Sequence, residues 1–448
     1  MHLSAGGLVA LTAILADYML GNSPDWGLLQ TLTLAAGLLI MALGFLPDIR
    51  IVHRLSTNIC LSLLSVFVIL VVCEGFFRAI AFDFADEKKV WQKAPPYYRQ
   101  PIVPTGEVFF RHPGPEEWTG QVLNTRLSQL NILPNPYTDE PVITVKYNSA
   151  GFRNPDDISD WDVVVTGDSF TELGYLRDED LFTTILGEIL NVRVLNLGTS
   201  YTGPLTQLSY LRDYGISRSI QHTIIVFFEG NDLEDLATEY KALIQWQESG
   251  QRDYREFKRQ PSLARRVYKI LENPVGRLIK PTHYVTAYFK SQHGDIPVTV
   301  ACTPPGRSNM SEETLHRLKY FLKEYARFGI ERQVTVWLAY MPSKRRVLHG
   351  LIEFSDSTPE ILRNWQPTDL PELVSKLCDQ YGIKFIDLTP PLVEETQNKA
   401  HLVYNSIYDT HVNSIGSRVV GRELARHLAT YGQRAPSGKR SPARLTGR

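Results

Sequence analysis

The sequence predicts an α/β domain that is built on a parallel central sheet and preceded by three transmembrane helices. Between residues 142 and 432, short runs of β-branched and aromatic residues alternate with segments of helical periodicity. This pattern is typical of a parallel sheet that is covered by helices on both faces. Before residue 83, three long apolar runs follow one another. A chain of 448 residues suits two or three such units better than one.

The amino-terminal part is predicted to lie in a membrane, because a bilayer requires about 20 consecutive apolar residues. Its apolar runs cover residues 8–20, 27–47 and 56–73. The first run lacks the basic start and the cleavage site of a signal peptide, so we expect a retained helix. Arg50 and Arg54 follow the second run, and basic turns stay in the cytoplasm. The domain after the third run is therefore expected on the periplasmic or extracellular side of the cell (inner) membrane.

The rest of the chain divides by composition. Residues 83–141 are rich in proline, tyrosine and tryptophan and are predicted to form an irregular stalk. Residues 142–432 form the α/β domain, with a long basic insertion at about 239–305. Part of this insertion has helical spacing, which suits either contact with a membrane surface or anionic polymer, or a solvated cap over the site. Residues 433–448 are predicted to be a disordered basic tail.

Within the α/β domain, a strand is predicted at 142–147 and a closing helix at 413–431. Apolar runs predict the strands of the central sheet at residues 163–166, 192–197, 223–228, 334–340 and 383–388. Helical spacing predicts the helices between them at residues 181–190, 205–214, 312–328 and 370–381. Because the carboxyl ends of parallel strands share one edge, the residues that follow each strand should meet there.

The first three strands of this sheet end on residues that suit acyl transfer. The first strand is followed by Gly167-Asp168-Ser169, and a serine at such a turn can act as a nucleophile when a base reaches it. Gly198 follows the second strand and Asn231 the third. The backbone N–H groups of Ser169 and Gly198 and the amide of Asn231 are predicted to form an oxyanion hole, which stabilises the charge that develops on the attacked carbonyl.

Asp409 and His411 lie in the loop before the last helix and complete a predicted catalytic triad with Ser169. The carboxylate of Asp409 would hold the His411 imidazole in the tautomer that accepts the serine proton, and would stabilise the imidazolium that follows. Asp168 and Lys344 are candidate substrate-binding residues. Lys344 follows a later strand at the same edge, although an exposed loop lysine is an equally good interpretation.

These motifs resemble those of the SGNH (GDSL-type) hydrolase family over about residues 143–431. The resemblance implies a three-layer domain, with Ser169 as nucleophile, Asp409 and His411 as the other triad members, and Gly198 and Asn231 as oxyanion donors. Two features depart from the family pattern. Glu229 stands where the third motif has a glycine, and one residue rather than two separates the aspartate from the histidine. The shorter spacing is similar to that of alginate O-acetyltransferase-like proteins.

The composition argues against several other classes. The net charge of -1 gives no reason to expect a nucleic-acid partner. The four cysteines form no Cys-x-x-Cys pair or Cys/His cluster, so neither a metal nor a cofactor is expected. Cys302 and Cys378 can form one bridge in an oxidising compartment, but their spacing alone does not decide it. The Gly-x-Ser-x-Gly turn of α/β-hydrolases is absent around Ser169.

The sequence therefore predicts a membrane-anchored serine esterase of SGNH type that cleaves an acyl ester, with acetyl the first choice, of a carbohydrate or lipid. Two alternatives remain open. One is an O-acyltransferase that modifies an exopolysaccharide or cell-envelope glycan through the same serine. The other is a non-catalytic module that binds a glycan or a protein. The expected partners are the membrane, the acylated substrate and envelope-polysaccharide assembly proteins.

Overall fold

A computed structural model describes residues 95–434, with gaps at 107, 130–136, 138, 156–157, 251–284, 292–293, 302–303, 355–357 and 359, together with the isolated residues Gly7, Leu34, Leu38 and Ser65. The predicted transmembrane helices within 1–82, most of the basic insertion and the tail from 435 onward lie outside this part. None of the helices in the described part is long and apolar enough to cross a membrane. Nearly all described residues belong to one compact unit, Ala94–Asp253 with His283–Arg448.

The elements of this unit begin with β1 (Val103–Thr105), β2 (Phe109–Arg111), β3 (Glu116–Gly120), α1 (Val122–Gln129), β4 (Ile143–Tyr147), β5 (Val163–Gly167), α2 (Ser169–Glu172), α3 (Phe182–Leu190), β6 (Val194–Asn196), α4 (Pro204–Asp213), β7 (His222–Phe228) and α5 (Asp232–Ser249). They continue with β8 (Val285–Ser291), β9 (Gly294–Val300), α6 (Glu312–Arg332), β10 (Thr335–Met341), α7 (Lys344–Val347), β11 (Ile352–Phe354), α8 (Glu360–Arg363), α9 (Leu370–Tyr381), β12 (Lys384–Asp387), α10 (Thr389–Lys399) and α11 (Ser414–Arg434).

The central sheet has five parallel strands in the order β12-β10-β7-β5-β6, which confirms the predicted parallel sheet. Alternate residues of its strands pack into two separate cores. Ile224 and Val226 of β7 lie on the face covered by α3 and α11, and Ile225 and Phe227 lie on the face covered by α4, α5, α6 and α9. Burial on both faces explains why these strands have continuous apolar sequences. The register aligns Gly167, at the end of β5, with Val226.

The predicted helices lie within a few residues of their observed bounds. The largest difference is at α6, which continues four residues past its predicted end at Phe328 to Arg332. Its last three residues are exposed, so the apolar periodicity ends before the helix does. The helix is capped at its start by Ser311, whose side chain accepts a hydrogen bond from the N–H of Thr314. It is followed by Gln333, which caps its end in a left-handed conformation.

The structure differs from the irregular stalk predicted for residues 83–141. The described part of this segment contains the β1–β2 hairpin, the helix α1 and the strand β3, which pairs antiparallel with β4. Its Tyr97 is buried in the core beside the central sheet. These strands are three to five residues long and only partly buried, so they carry too little apolar periodicity to be recognised.

The described part of the predicted insertion, 239–305, also contains more than a basic helix. The strands β8 and β9 form an antiparallel hairpin, and β11 pairs with β8 to complete a three-stranded sheet. This sheet has its own small core, formed by Ala287, Phe289, Val298 and Leu348. The segment with basic helical spacing, 252–280, lies outside the described residues.

Cys378 lies on α9 and is a buried, free thiol. Burial raises the pKa of this thiol, which makes it a poor nucleophile. Cys302, its possible bridge partner in the sequence analysis, lies outside the described residues. In the structure Cys378 therefore serves as a small apolar core residue.

Candidate active site

The nucleophile is placed by the end of the central strand β5. This strand is fully buried and ends at Gly167, and Ser169 begins the short helix α2 directly after it. The carboxylate of Asp168 caps this helix by accepting a hydrogen bond of 2.8 Å from the N–H of Phe170. The hydroxyl of Ser169 lies 2.8 Å from Nε2 of His411. The structure thus brings together two side chains that are 242 residues apart in sequence.

Asp409 completes the predicted group. Its Oδ1 and Oδ2 lie 3.2 and 3.4 Å from Nδ1 of His411. The Oδ1 atom also accepts hydrogen bonds from the backbone N–H of His411 at 2.8 Å and from Nδ2 of Asn405 at 3.0 Å. The serine, imidazole and carboxylate therefore form a continuous hydrogen-bonded chain, the arrangement in which a histidine takes the proton of a serine hydroxyl.

The electrostatic environment keeps Asp409 ionised. Burial by itself raises the pKa of this carboxyl group. The adjacent His411, together with hydrogen bonds from His411 and Asn405, outweighs burial and holds the pKa of Asp409 below its ordinary value. The carboxylate is thus available as a charged acceptor for the imidazole N–H.

Aromatic rings fix the plane of the His411 imidazole. The Phe170 ring lies 4.5 Å from the imidazole, centroid to centroid, and Tyr97 meets it edge-on at 5.6 Å. Tyr175 lies at 6.1 Å, and its hydroxyl donates to the carbonyl of Val412. A side chain whose rotamer is locked by packing can hold the narrow geometry that proton transfer requires.

The prediction that Gly198 donates to an oxyanion hole is wrong for this structure. Its backbone N–H donates to Oδ1 of Asn196 at 2.8 Å. The reason for a glycine is packing rather than approach of substrate, because a Cβ atom here would lie 2.4 Å from the backbone nitrogen of Glu172 in α2. Gly198 therefore lets the loop after β6 lie directly against the helix that carries Ser169.

The two other predicted oxyanion donors lie at the same sheet edge. The N–H of Ser169 is at the first position of α2, where a helix N–H has no carbonyl partner within the helix. Asn231 comes just after β7, and its Nδ2 donates to Oδ2 of Asp235 at 2.6 Å. An amide nitrogen carries two hydrogens. A hydrogen bond from the Asn231 side chain also acts to lower the pKa of Asp168. Their service as oxyanion donors stays a prediction.

The prediction that Asp168 and Lys344 bind substrate is wrong, because both side chains are buried. Asp168 is 1% exposed; burial raises its pKa to about 6, and its carboxylate caps α2. Lys344 is also 1% exposed. Its Nζ donates to the carbonyls of Thr299 and Ser406, both at 2.9 Å, and to the carbonyl of Asp409. Both residues support the site from inside the protein.

Sequence reasoning also missed the support given by Glu229, which it treated only as a departure from a motif. Its Oε1 accepts from the N–H and the hydroxyl of Ser343 at 2.8 and 2.6 Å, and its Oε2 accepts from Nε of Arg346 at 2.7 Å. This buried carboxylate, at the end of β7, fixes the start of α7 beside the site. The sequence does carry a signal for this contact. A charged residue ends an apolar strand, and three basic residues follow the neighbouring strand.

A metal is not needed to explain the polar side chains of this site. In the part of the chain that the structure describes, no group of three or more histidine, cysteine, aspartate or glutamate side chains could hold a metal ion. The carboxylates of Asp409, Asp168 and Glu229 each receive protein hydrogen bonds instead. The arrangement suits proton transfer and nucleophilic attack by a serine.

No protein-family model and no curated protein matches the chain. Among solved structures, it is similar to the acetyl xylan esterase AlAXEase, with 12% identity, a TM-score of 0.31, and coverage of 59% of this chain and 99% of that one. Axe2, an acetylxylan esterase from Geobacillus stearothermophilus, is 12% identical, with a TM-score of 0.30 and coverage of 60% and 94%. A Desulfitobacterium hafniense DCB-2 protein described as lipolytic and of the G-D-S-L family is 13% identical, with a TM-score of 0.28 and coverage of 59% and 98%. The chemistry of the site therefore has to follow from its own residues and distances.

Proposed function

We propose that this protein is an ester hydrolase of SGNH type in which Ser169 attacks the ester carbonyl. The observation that carries this proposal is the chain of hydrogen bonds from the Ser169 hydroxyl through the imidazole of His411 to the carboxylate of Asp409. A buried, ionised aspartate behind a histidine that contacts a serine is the arrangement that activates a weak hydroxyl nucleophile.

The reaction follows from this geometry. Nε2 of His411 takes the hydroxyl proton as Oγ of Ser169 bonds to the acyl carbon, and Asp409 stabilises the imidazolium. The tetrahedral intermediate collapses when the alcohol oxygen leaves and takes the proton from His411, so the acyl group remains on Ser169. Water then attacks the acyl-serine, again giving its proton to His411, and the carboxylic acid leaves with Ser169 restored.

A carbohydrate ester is the substrate class that the exposed surface beside the site favours. Tyr201 and Tyr408 are 51% and 40% exposed, and both have a left-handed backbone, with φ of 63° and 57°. Tyr408 directly precedes Asp409, and the loop before Tyr201 is bonded to Glu172 of α2 through the N–H of Ser200. Strained backbone often marks ligand contacts, and a tyrosine ring offers a flat apolar face with a polar tip. We therefore infer that these two rings contact sugar rings.

The membrane anchor belongs to the same proposal. Residues 27–47 and 56–73 contain no charged residue, and each is long enough to span a bilayer when helical. Arg50 and Arg54 lie between them, and basic turns favour the cytoplasm, which supports the periplasmic or extracellular side for the domain. A protease-protection assay on membrane vesicles tests this orientation. A result that puts residues 95–434 on the cytoplasmic side of the membrane would contradict the proposed orientation.

A fluorophosphonate probe and a chromogenic acetyl ester test the proposed hydrolase together. We expect the probe to label wild-type protein and not Ser169→Ala, and ester hydrolysis to fall by a factor of about 10³ or more in this variant. An exposed serine, for example Ser249→Ala on α5, is the matched control. Hydrolysis that persists in a folded Ser169→Ala variant would contradict the proposal and favour a binding module.

The fate of the acyl group separates the hydrolase from the acyltransferase. Isotope-labelled acetyl ester is supplied with and without an oligosaccharide, and free acetate and acetylated sugar are both measured. We expect free acetate in both reactions. Transfer of most of the label to the sugar would instead assign the acyltransferase activity to the same serine.

The sugar contacts have their own test. Tyr201→Asn and Tyr408→Asn remove the rings while keeping a residue that tolerates a positive φ. We expect each to raise the KM for an acetylated oligosaccharide by about 5–30-fold, the range for losing about 1–2 kcal/mol of contact energy. The KM for a small chromogenic ester should change less than twofold. Equal effects on both substrates would exclude a role in sugar binding.

A further inference from the structure

The side chain of Lys344 is buried under the active site and has no role in the proposed reaction. It begins α7, and its Nζ meets three backbone carbonyls, those of Thr299, Ser406 and Asp409. An ammonium group has three N–H donors and no acceptor. Three carbonyls around one nitrogen match the charged form of lysine, since a neutral amine has only two hydrogens to donate. The geometry favours this form even though burial lowers the pKa of Lys344 to about 7.

Two of these carbonyls belong to the loop that carries the base. The loop Asn405–His411 is closed by a hydrogen bond of 2.9 Å from the N–H of Asn405 to the carbonyl of His411 and by a bridge between Tyr404 and Val412. Tyr408 within it has a left-handed backbone with a φ of 57°. The carbonyls of Ser406 and Asp409 then converge on Lys344.

The third carbonyl ties this loop to the small antiparallel sheet. Thr299 in β9 offers its carbonyl to Lys344, its N–H donates to the carbonyl of Ser406 at 3.1 Å, and its hydroxyl accepts from the N–H of Tyr408 at 2.6 Å. The loop is therefore held from two sides, by Thr299 and by the ammonium. A buried carbonyl without a partner is costly, so the loop conformation depends on both contacts.

We propose that Lys344 is a positioning residue of the active site. Its buried ammonium group holds the conformation of the loop that carries Asp409 and His411 by hydrogen bonds to the main chain of this loop. This inference rests on the proposed hydrolase. The ammonium bonds to the main chain of Asp409, and the carboxylate of the same residue bonds to His411. Loss of the cation should therefore move the imidazole away from Ser169.

The first test replaces the ammonium and keeps the apolar stem, in Lys344→Met. Because a misplacement of about 1 Å can cost a factor of about 10² in rate, we expect kcat for the chromogenic ester to fall by about 10–100-fold. KM for this small ester should stay within about twofold, since the small ester does not depend on the proposed sugar contact of Tyr408 in the same loop. The exposed Lys323→Met on α6 is the matched control and should match wild type. A folded Lys344→Met variant with a kcat within about threefold of wild type would overturn the proposal.

The second test restores the cation chemically. Lys344→Ala leaves space for three carbons and a nitrogen, so n-propylammonium should raise its kcat at least tenfold. The neutral 1-propanol has the same shape but only one donor, and we expect no recovery with it. If Lys344→Met does not fold, this variant decides alone. Recovery with the amine only supports the proposal, and recovery with both compounds or with neither overturns it.

Different results would contradict the proposed hydrolase activity and the proposed role of Lys344. If Ser169→Ala keeps its esterase activity, the hydrolase proposal fails whatever the lysine variants do. If wild-type activity depends on Ser169 and the lysine variants match wild type, only the positioning role fails. Thermal unfolding of each variant is recorded beside the kinetics, so that loss of fold is not taken for loss of positioning.

Discussion

The two sides of the active site are built in opposite ways. Ser169 stands at the end of β5, a fully buried strand hydrogen-bonded to β6 on one side and β7 on the other. His411 lies in the loop Asn405–His411, outside any strand or helix. Regular main-chain pairing places the nucleophile, whereas side chains from distant parts of the chain place the base.

This difference determines whether substitutions on each side should first reduce stability or first reduce activity. The nucleophile side depends on apolar packing and on close contact between main-chain segments, so damage there should appear first as lost stability. The base side depends on a few buried polar contacts to Asp409 and its loop. Damage there should appear first as lost activity, because these contacts set geometry more than they bury apolar surface.

The largest expected effect comes from comparing the two carboxylates nearest the serine. Asp409→Asn keeps the shape of the side chain but favours the wrong imidazole tautomer, so kcat should fall by about 10³–10⁴-fold. Asp168→Asn, on the nucleophile side, can still cap α2 and should cost less than about tenfold. Steady-state kinetics on a chromogenic acetyl ester measure both. Equal losses in the two variants would contradict the assignment of Asp409 as the partner of His411.

Gly198→Ala breaks the nucleophile side. The added Cβ meets the main chain of α2 at 2.4 Å, and main chain cannot move aside as a flexible side chain can. We expect the free energy of unfolding to fall by about 3 kcal/mol, measured by urea denaturation. Gly350→Ala is the control, because its φ is 76° but a Cβ there touches nothing, so it should cost about 1–2 kcal/mol. A smaller loss at Gly198 than at Gly350 would exclude the packing explanation.

The sequence predicted the nucleophile side far better than the base side. The apolar run 163–166 anticipated β5, because burial on both faces of a sheet leaves a continuous pattern in sequence. Gly198 was identified as important, but for a contact with substrate rather than with α2. Such a contact depends on tertiary packing that no local pattern records.

The support of the base was not predictable in the same way. Lys344 bonds to carbonyls 45 and 65 residues away in sequence, and nothing near it indicates that its ammonium points inward. Lysine at a loop is exposed in most proteins, so the sequence favoured a surface role. Asn405 gave no signal either, because a hydrogen bond across a loop has no periodicity.

Asn405→Ala removes one hydrogen-bond donor to Asp409. It tests how much this single bond contributes to kcat and to the pKa of Asp409. A hydrogen bond to a charged group contributes about 1.5–3 kcal/mol, and we expect kcat to fall about tenfold. The bond lowers the pKa of Asp409, so its loss raises that pKa. Activity requires the ionised carboxylate and is lost as pH falls through the folded-state pKa. The acid limb of the kcat profile should therefore move to higher pH.

The control for this substitution is Asn364→Ala, because Asn364 is exposed and its side chain bonds to Glu360 of α8 rather than to Asp409. Its kcat and its acid limb should match those of wild type. An acid limb that moves to lower pH in Asn405→Ala, or does not move while kcat falls, would show that Asn405 acts on something other than the charge of Asp409.

The smallest expected effect concerns Glu239. Its carboxylate bonds to main-chain groups on the nucleophile side, as the ammonium of Lys344 bonds to main-chain groups on the base side. This partly buried carboxylate accepts main-chain N–H bonds from Gly203 at 2.8 Å and Leu205 at 2.9 Å, at the start of α4. Burial raises its pKa to about 7 despite these bonds. A pKa raised on folding gives stability that is complete below the unfolded-state value and is lost as pH rises through the folded-state value.

Stability should therefore decline between about pH 4.5 and pH 7. The decline from this group should be roughly 1–2 kcal/mol, less than the full shift implies, because Glu239 is partly exposed. Glu239→Gln keeps the acceptor oxygen but cannot ionise, so its free energy of unfolding should vary less across this window, with kcat changed less than twofold. Urea denaturation at a series of pH values measures the slope in both proteins. An unchanged slope would mean that Glu239 is charged throughout this pH range.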